Sequence, residues 1–205
     1  MSHNRSNHRV PFAALALLTL AACGGEVSSN EQARRAYLGL DTSIEKALQL
    51  GFAGFNAASS ANIPEQRAPG NSTGQLTITG QVDQGSSDNK GMRLRVGMTD
   101  YSDGPITLED EKSIVVTYDT AEDVAARPAL DLSMKDLPNG TFSGTLVGDF
   151  DMTGDLKDKV NLNLTLTGEL EDDGTGKVRR KTGSTTVVGT ATSGSSGTWQ
   201  VDVKL

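Results

Sequence analysis

The sequence predicts a mainly β, α+β domain. An N-terminal amphipathic helix packs on an antiparallel meander of eight or nine strands, curled into a half-barrel or barrel. Three observations predict it. Residues 30–59 carry apolar side chains at spacings of three and four, the period of one helical face. From Gln75 to Leu205 the period switches to two, as in strands with one covered and one solvated face. The helix stripe is the other large apolar surface. A long twisted sheet hides its single apolar face by curling around that stripe.

The helix comes first in the chain. Asn30 suits its N-cap and Glu31 the positive end of its dipole. Ala33, Tyr37, Leu40, Ile44, Leu48, Phe52 and Phe55 draw the stripe and are expected in the core. Gly39 weakens the middle. Thr42-Ser43-Ile44-Glu45 has the form of a capping box, so a break near Gly39 and a restart at Thr42 is the alternative to one continuous helix. Gly51 and Gly54 open one face to close approach by another backbone. Residues 60–74, with Pro64, Pro69 and Gly70, read as a loop.

The strands follow, near 75–83, 91–101, 105–110, 112–119, 129–136, 140–153, 158–171, 176–192 and 197–205. Leu76, Ile78 and Val82 alternate with Thr77, Thr79 and Gln81. Val160, Leu162, Leu164 and Leu166 alternate with Lys159, Asn161, Asn163 and Thr165. Polar turns such as Pro138-Asn139-Gly140 and Asp172-Asp173-Gly174 join the runs. Residues 121–127 form one helical turn, capped by Thr120 and stopped by Pro128. A membrane-spanning barrel would also alternate with period two, but it expects aromatic girdles. This chain has one Trp, three Tyr and five Phe.

Charge narrows the partners. Nineteen Lys and Arg face 26 Asp and Glu, a net charge of −7. That balance opposes a nucleic-acid partner, which needs a basic footprint against phosphate.

The first 23 residues give an address. Arg5 and Arg9 precede a short apolar run from Pro11 to Leu20, followed by small residues, the pattern of a cleaved secretion signal. The site ends in Leu20-Ala21-Ala22-Cys23. This resembles the lipobox of bacterial lipoprotein precursors. The resemblance implies a signal peptide over 1–22 and a diacylated thiol at Cys23, and so a membrane partner through that residue. In that family an Asp after the cysteine often retains the protein at the inner membrane. Here the residue is Gly24, which by resemblance favours the outer membrane, with the domain in the periplasm or at the cell surface. Residues 23–29 read as a flexible tether and 30–205 as a single domain.

Cleavage after Ala22 would leave a mature chain without histidine, since His3 and His8 lie in the signal. Its one cysteine would be acylated. Ser-His-Asp and Cys-His catalysis and His/Cys metal sites are then unavailable. With Arg5 and Arg9 gone, 17 bases face 26 acids and the mature chain carries −9.

One ordered set of motifs remains. Ser43-Ile-Glu-Lys46, Ser87-Asp88-Asn89 and Lys181-Thr182-Gly183 match S-x-x-K, S-D-N and K-T-G. The set resembles that of serine β-lactamases and penicillin-binding proteins. The resemblance implies Ser43 as acylated nucleophile and Lys46 as the group that helps activate it. That family has a helical domain between the first and last motifs, whereas this interval reads as strands. Asp83, Asp88 and Asn89, and also Asp172 and Asp173, lie in turns without the spacing of a calcium loop. Arg179, Arg180 and Lys181 form a basic cluster that suits a charged edge strand.

The expectation is therefore a non-enzymatic envelope lipoprotein with no metal or cofactor, acting as a structural or protein-interaction module. The alternative is a binder of lipid or another apolar ligand inside the curled sheet. The sequence assigns no residue to ligand binding.

Overall fold

Residues 25–107 and 113–205 are described by a computed structural model. The signal 1–22, Cys23, Gly24 and part of the expected strands 105–110 and 112–119 lie outside the described residues.

The helical segment is two helices, α1 (Asn30–Leu38) and α2 (Asp41–Ala57). Ser29, not Asn30, caps α1: its side chain accepts from the Gln32 N–H. Asn30 instead accepts the Gln200 N–H at 2.8 Å, tying the helix to the last strand. The break falls at Gly39, and its cause is distant in sequence. Tyr118 donates its hydroxyl to the Ala36 carbonyl at 2.9 Å. That carbonyl would otherwise take the Leu40 N–H, which turns instead to Tyr37 O at 2.8 Å. A Cβ on residue 39 would lie 2.1 Å from the Tyr118 hydroxyl, so glycine is what fits there. The restart comes at Asp41, and the Thr42–Glu45 capping box is not what starts it. Leu40 occupies the N-cap with no side-chain bond, and Glu45 is drawn to a strand, as described below.

Ten strands follow among the described residues: β1 (Asn62–Pro69), β2 (Thr73–Val82), β3 (Lys90–Ser102), β4 (Val116–Asp119), β5 (Ala129–Lys135), β6 (Thr141–Gly154), β7 (Asp158–Asp172), β8 (Val178–Arg180), β9 (Thr186–Ser193) and β10 (Gly197–Lys204). Every named pair is antiparallel, and the order follows the chain. β4 and β5 share one place between β3 and β6. Likewise β8 and β9 share the place beside β7. The sheet curls into a partial ring whose end strands are β1 and β10. α1 packs on β10, and α2 on β1, β2 and β8.

Four expectations change. The loop 60–74 contains β1. Its prolines argued against a strand, yet β1 is an edge, where proline withholds no bond from a second neighbour. A register shift between Ile63 and Gln66 accommodates Pro64. The strand 176–192 is interrupted by a turn over 181–185. The excursion between β4 and β5 holds a short 3₁₀ turn (Val124–Ala126) capped by Asp123, not Thr120. In place of a strand over 105–110, Ile106 and Ile114 form a single antiparallel bridge.

The apolar alternation converges on one core. Leu76, Ile78, Leu94, Leu130, Leu146, Leu162 and Leu164 all point inward and are buried. Tyr37, Tyr101, Tyr118 and Phe150 are among the largest buried side chains. Tyr118 meets Phe150 edge-on, ring centres 6.5 Å apart at 89°. The helix stripe is buried as far as Leu48. Beyond it the face turned to the sheet is Gly51 and Gly54, where a Cβ would lie 2.6 Å from Met92 Sδ and 2.9 Å from Ile63 Cβ. Side chains, not another backbone, use that room. Phe52 and Phe55 are consequently rotated to the rim and only half-buried.

Candidate functional site

Cys23 lies outside the described residues, but the chain just after it is built into the domain. Gly25 pairs in parallel with Leu156 in the β6–β7 turn. Its N–H donates to Asp155 O at 3.2 Å, and its carbonyl accepts the Lys157 N–H at 3.1 Å. The Val27 side chain is fully buried, and its N–H donates to Asp158 at 2.9 Å. The Glu26 carboxylate accepts the hydroxyls of Ser195 and Ser196, each at 3.0 Å, in the β9–β10 turn. Residues 23–29 read as a tether because of Gly24, Gly25, Ser28 and Ser29, yet their described part, 25–29, is seated on the domain. One valine among them suffices to seat the segment, since burying such a side chain is worth about 1.5–3 kcal/mol.

The other end of the ring carries the chemically richest cluster, where α2 crosses β8. Arg180 grips Asp41 with both terminal nitrogens, at 2.7 and 3.0 Å, and also donates to the Asp41 carbonyl. Its Nε and backbone N–H reach Glu45 at 3.2 and 3.1 Å. Tyr37 donates to Asp41 at 2.8 Å. The Arg180 side chain is 10% exposed. Burial opposes its charge, but the Asp41 hydrogen bonds and charge, with smaller help from Tyr37 and Glu45, more than offset this and raise its pKa. The basic cluster is thus not a uniform exposed edge. Arg179 points outward to Glu171 at 2.8 Å, and Lys181 pairs with Glu169. Alternation along β8 turns Arg180 inward, between the outward-facing Arg179 and Lys181. Asp41 and Glu45, one helical turn apart, are the sequence signal that could have revealed its partners.

Two clefts flank this cluster. One, of about 320 Å³, is lined by Thr42, Glu45, Arg180, Lys181 and Thr182. The other, of about 510 Å³, is lined by the apolar side chains of Leu50, Phe52, Phe55 and Val178, with Gln49, Asn56 and Lys177. Gln49 bonds the Val178 carbonyl across its floor. On the outer face of β3, β5 and β6 a shallower hollow of about 520 Å³ is rimmed by Arg93, Asp131, Ser133 and Lys135.

The three serine-enzyme motifs are each engaged locally. Ser43 is buried and donates its hydroxyl to Leu40 O at 2.6 Å. Lys46 binds Asp103 at 2.6 Å and the Pro69 carbonyl at 2.9 Å, and lies over the Tyr101 ring. Ser87 accepts the Asn89 N–H within its turn, and Asn89 accepts the Asp136 N–H. Lys181 starts the turn after β8 and accepts the Ser184 hydroxyl.

The acidic turns are also employed. Asp83 pairs with Arg93 at 2.8 Å, and that bond holds its carboxyl below the usual range. Asp173 accepts the Thr175 hydroxyl and N–H, which lowers its pKa likewise. Asp172 accepts N–H groups of Gly174 and Gly176. Among the described residues no three His, Cys, Asp or Glu side chains converge.

Comparison of the chain with family models, curated proteins and solved structures gives no match.

Proposed function

We propose that the chain is a non-enzymatic, lipid-anchored lipoprotein of the bacterial envelope, acting as a structural or protein-interaction module. The lipobox carries this reading. Leu20-Ala21-Ala22-Cys23 holds the chain's single cysteine, behind a basic start and a short apolar run. The seating of Gly25 and Val27 supports it, because the folded domain begins two residues beyond the acylation point. The outer membrane is the favoured location, with Gly24 in the sorting position. The non-enzymatic part is supported by the occupied hydroxyl of Ser43 and the occupied amine of Lys46. A labelled penicillin should leave Ser43 unmodified; labelling that disappears in Ser43→Ala would refute this part.

Mass spectrometry of protein extracted from native membranes tests the anchor. The expected N-terminus is acylated Cys23, and Cys23→Ala should accumulate as an unprocessed or soluble form. An unmodified N-terminus at another residue would overturn the reading.

A second reading, a binder of lipid or another apolar ligand, draws on the cleft beside Leu50, Phe52, Phe55 and Val178. Tyr37, Tyr101, Tyr118 and Phe150 are fully buried large side chains that fill the core of the curled sheet. This reading therefore places the ligand at the rim rather than inside the sheet. A lipid at about one per chain in gently purified protein would favour it.

A further inference from the structure

We infer that the anchored protein stands on the membrane on one fixed end, with the β6–β7 and β9–β10 turns against lipid headgroups and the apolar cleft of α2 pointing away. The inference rests on the lipid-anchor reading of Cys23. Three contacts hold the segment after the anchor. They are the paired backbone bonds of Gly25 with the β6–β7 turn, the buried Val27 side chain, and Glu26 on the serines of the β9–β10 turn. Consecutive Cα atoms are about 3.8 Å apart, so Cys23 lies within about 8 Å of Gly25 whatever Gly24 does. An acylated cysteine sits at headgroup level. The turns that hold Gly25 are then within a side chain's length of the headgroups.

β7 runs from this end to the other. Asp158 at its start bonds Val27, and Asp172 at its end opens the hairpin whose residues Gly176 and Val178 line the apolar cleft. Its fifteen residues rise about 45 Å at roughly 3.3 Å each, less any tilt.

The test uses the full chain expressed in a bacterial envelope, purified and reconstituted with phosphatidylethanolamine–phosphatidylglycerol vesicles carrying an acceptor dye on the headgroups. Acylation consumes the natural thiol, so Thr153→Cys near the anchored end and Asn56→Cys at the far end each give a single labelling site. Both positions are exposed. Energy transfer is expected to be at least about twofold stronger from position 153, given a separation near 45 Å. Equal transfer from the two positions in protein that floats with the vesicles overturns the fixed orientation while leaving the anchor intact. Protein that does not float, and whose Cys23 is unmodified, overturns the anchor reading and the orientation with it.

Discussion

Raising the pH should unfold this protein steeply, because its three tyrosines are all silent in the native state. Tyr37, Tyr101 and Tyr118 are the chain's full complement, and each is fully buried. Each also uses its phenolic proton: Tyr37 on Asp41 at 2.8 Å, Tyr101 on Asp103 at 2.6 Å, Tyr118 on the Ala36 carbonyl at 2.9 Å. Burial raises all three pKa values, and the neighbouring carboxylates raise those of Tyr37 and Tyr101 further. In the unfolded chain the same groups ionise near pH 10. Below that pH both states hold the protons and stability is untouched. Above it the unfolded state releases three protons that the native state keeps. Stability then falls by about 1.4 kcal/mol per pH unit for each phenol, about 4 for the three. A domain with about 5–15 kcal/mol to lose exhausts it within roughly one to four pH units. The assay is phenolate absorbance against pH, run beside far-ultraviolet circular dichroism. Absorbance should stay flat and then rise cooperatively with the loss of β signal. A smooth titration centred near pH 10 with the β signal intact would refute the argument.

Other changes probe the packing. Arg180→Met strips Asp41 and Glu45 of their counter-ion; breaking a buried pair costs about 3–5 kcal/mol. With those carboxylates 22% and 29% exposed, a loss of about 2–3 is expected, read as a fall of some 4–12 °C in Tm. Unchanged melting would mean that α2 does not depend on β8. Gly39→Ala improves helix propensity by about 1 kcal/mol yet forces a Cβ onto the Tyr118 hydroxyl. A net loss of stability is expected in urea titration, since overpacking costs about 1–3 kcal/mol and the Tyr118 bond about 1 more. Phe150→Ala should cost about 3–5 kcal/mol as a full core truncation. Phe52→Ala, at the half-buried rim, should cost clearly less, and equal losses would contradict the rotation of α2.

What was readable in the residues was local in character. The change of period from 3.6 to 2 marks where helix gives way to sheet, and alternation alone sorts Leu162 and Leu164 inward from Asn161 and Asn163 outward. The lipobox is equally local, a contiguous motif around Cys23. These signals need no knowledge of neighbours, because side-chain direction repeats with the backbone.

Tertiary structure decided the rest. Whether the helix continues past Gly39 depends on Tyr118, whose hydroxyl takes the Ala36 carbonyl from 82 residues away. Whether 62–69 is strand or loop depends on its place at the sheet edge, which alone makes Pro64 and Pro69 tolerable. Whether Arg180 is a surface charge or the clasp between α2 and β8 depends on which side of β8 meets the helix. Gly25 and Val27 look like linker until the β6–β7 turn is there to receive them. In each case the deciding hydrogen bond or contact joins segments far apart in sequence. Composition and period report how a segment can fold; only the assembled neighbours supply the partner that selects one outcome.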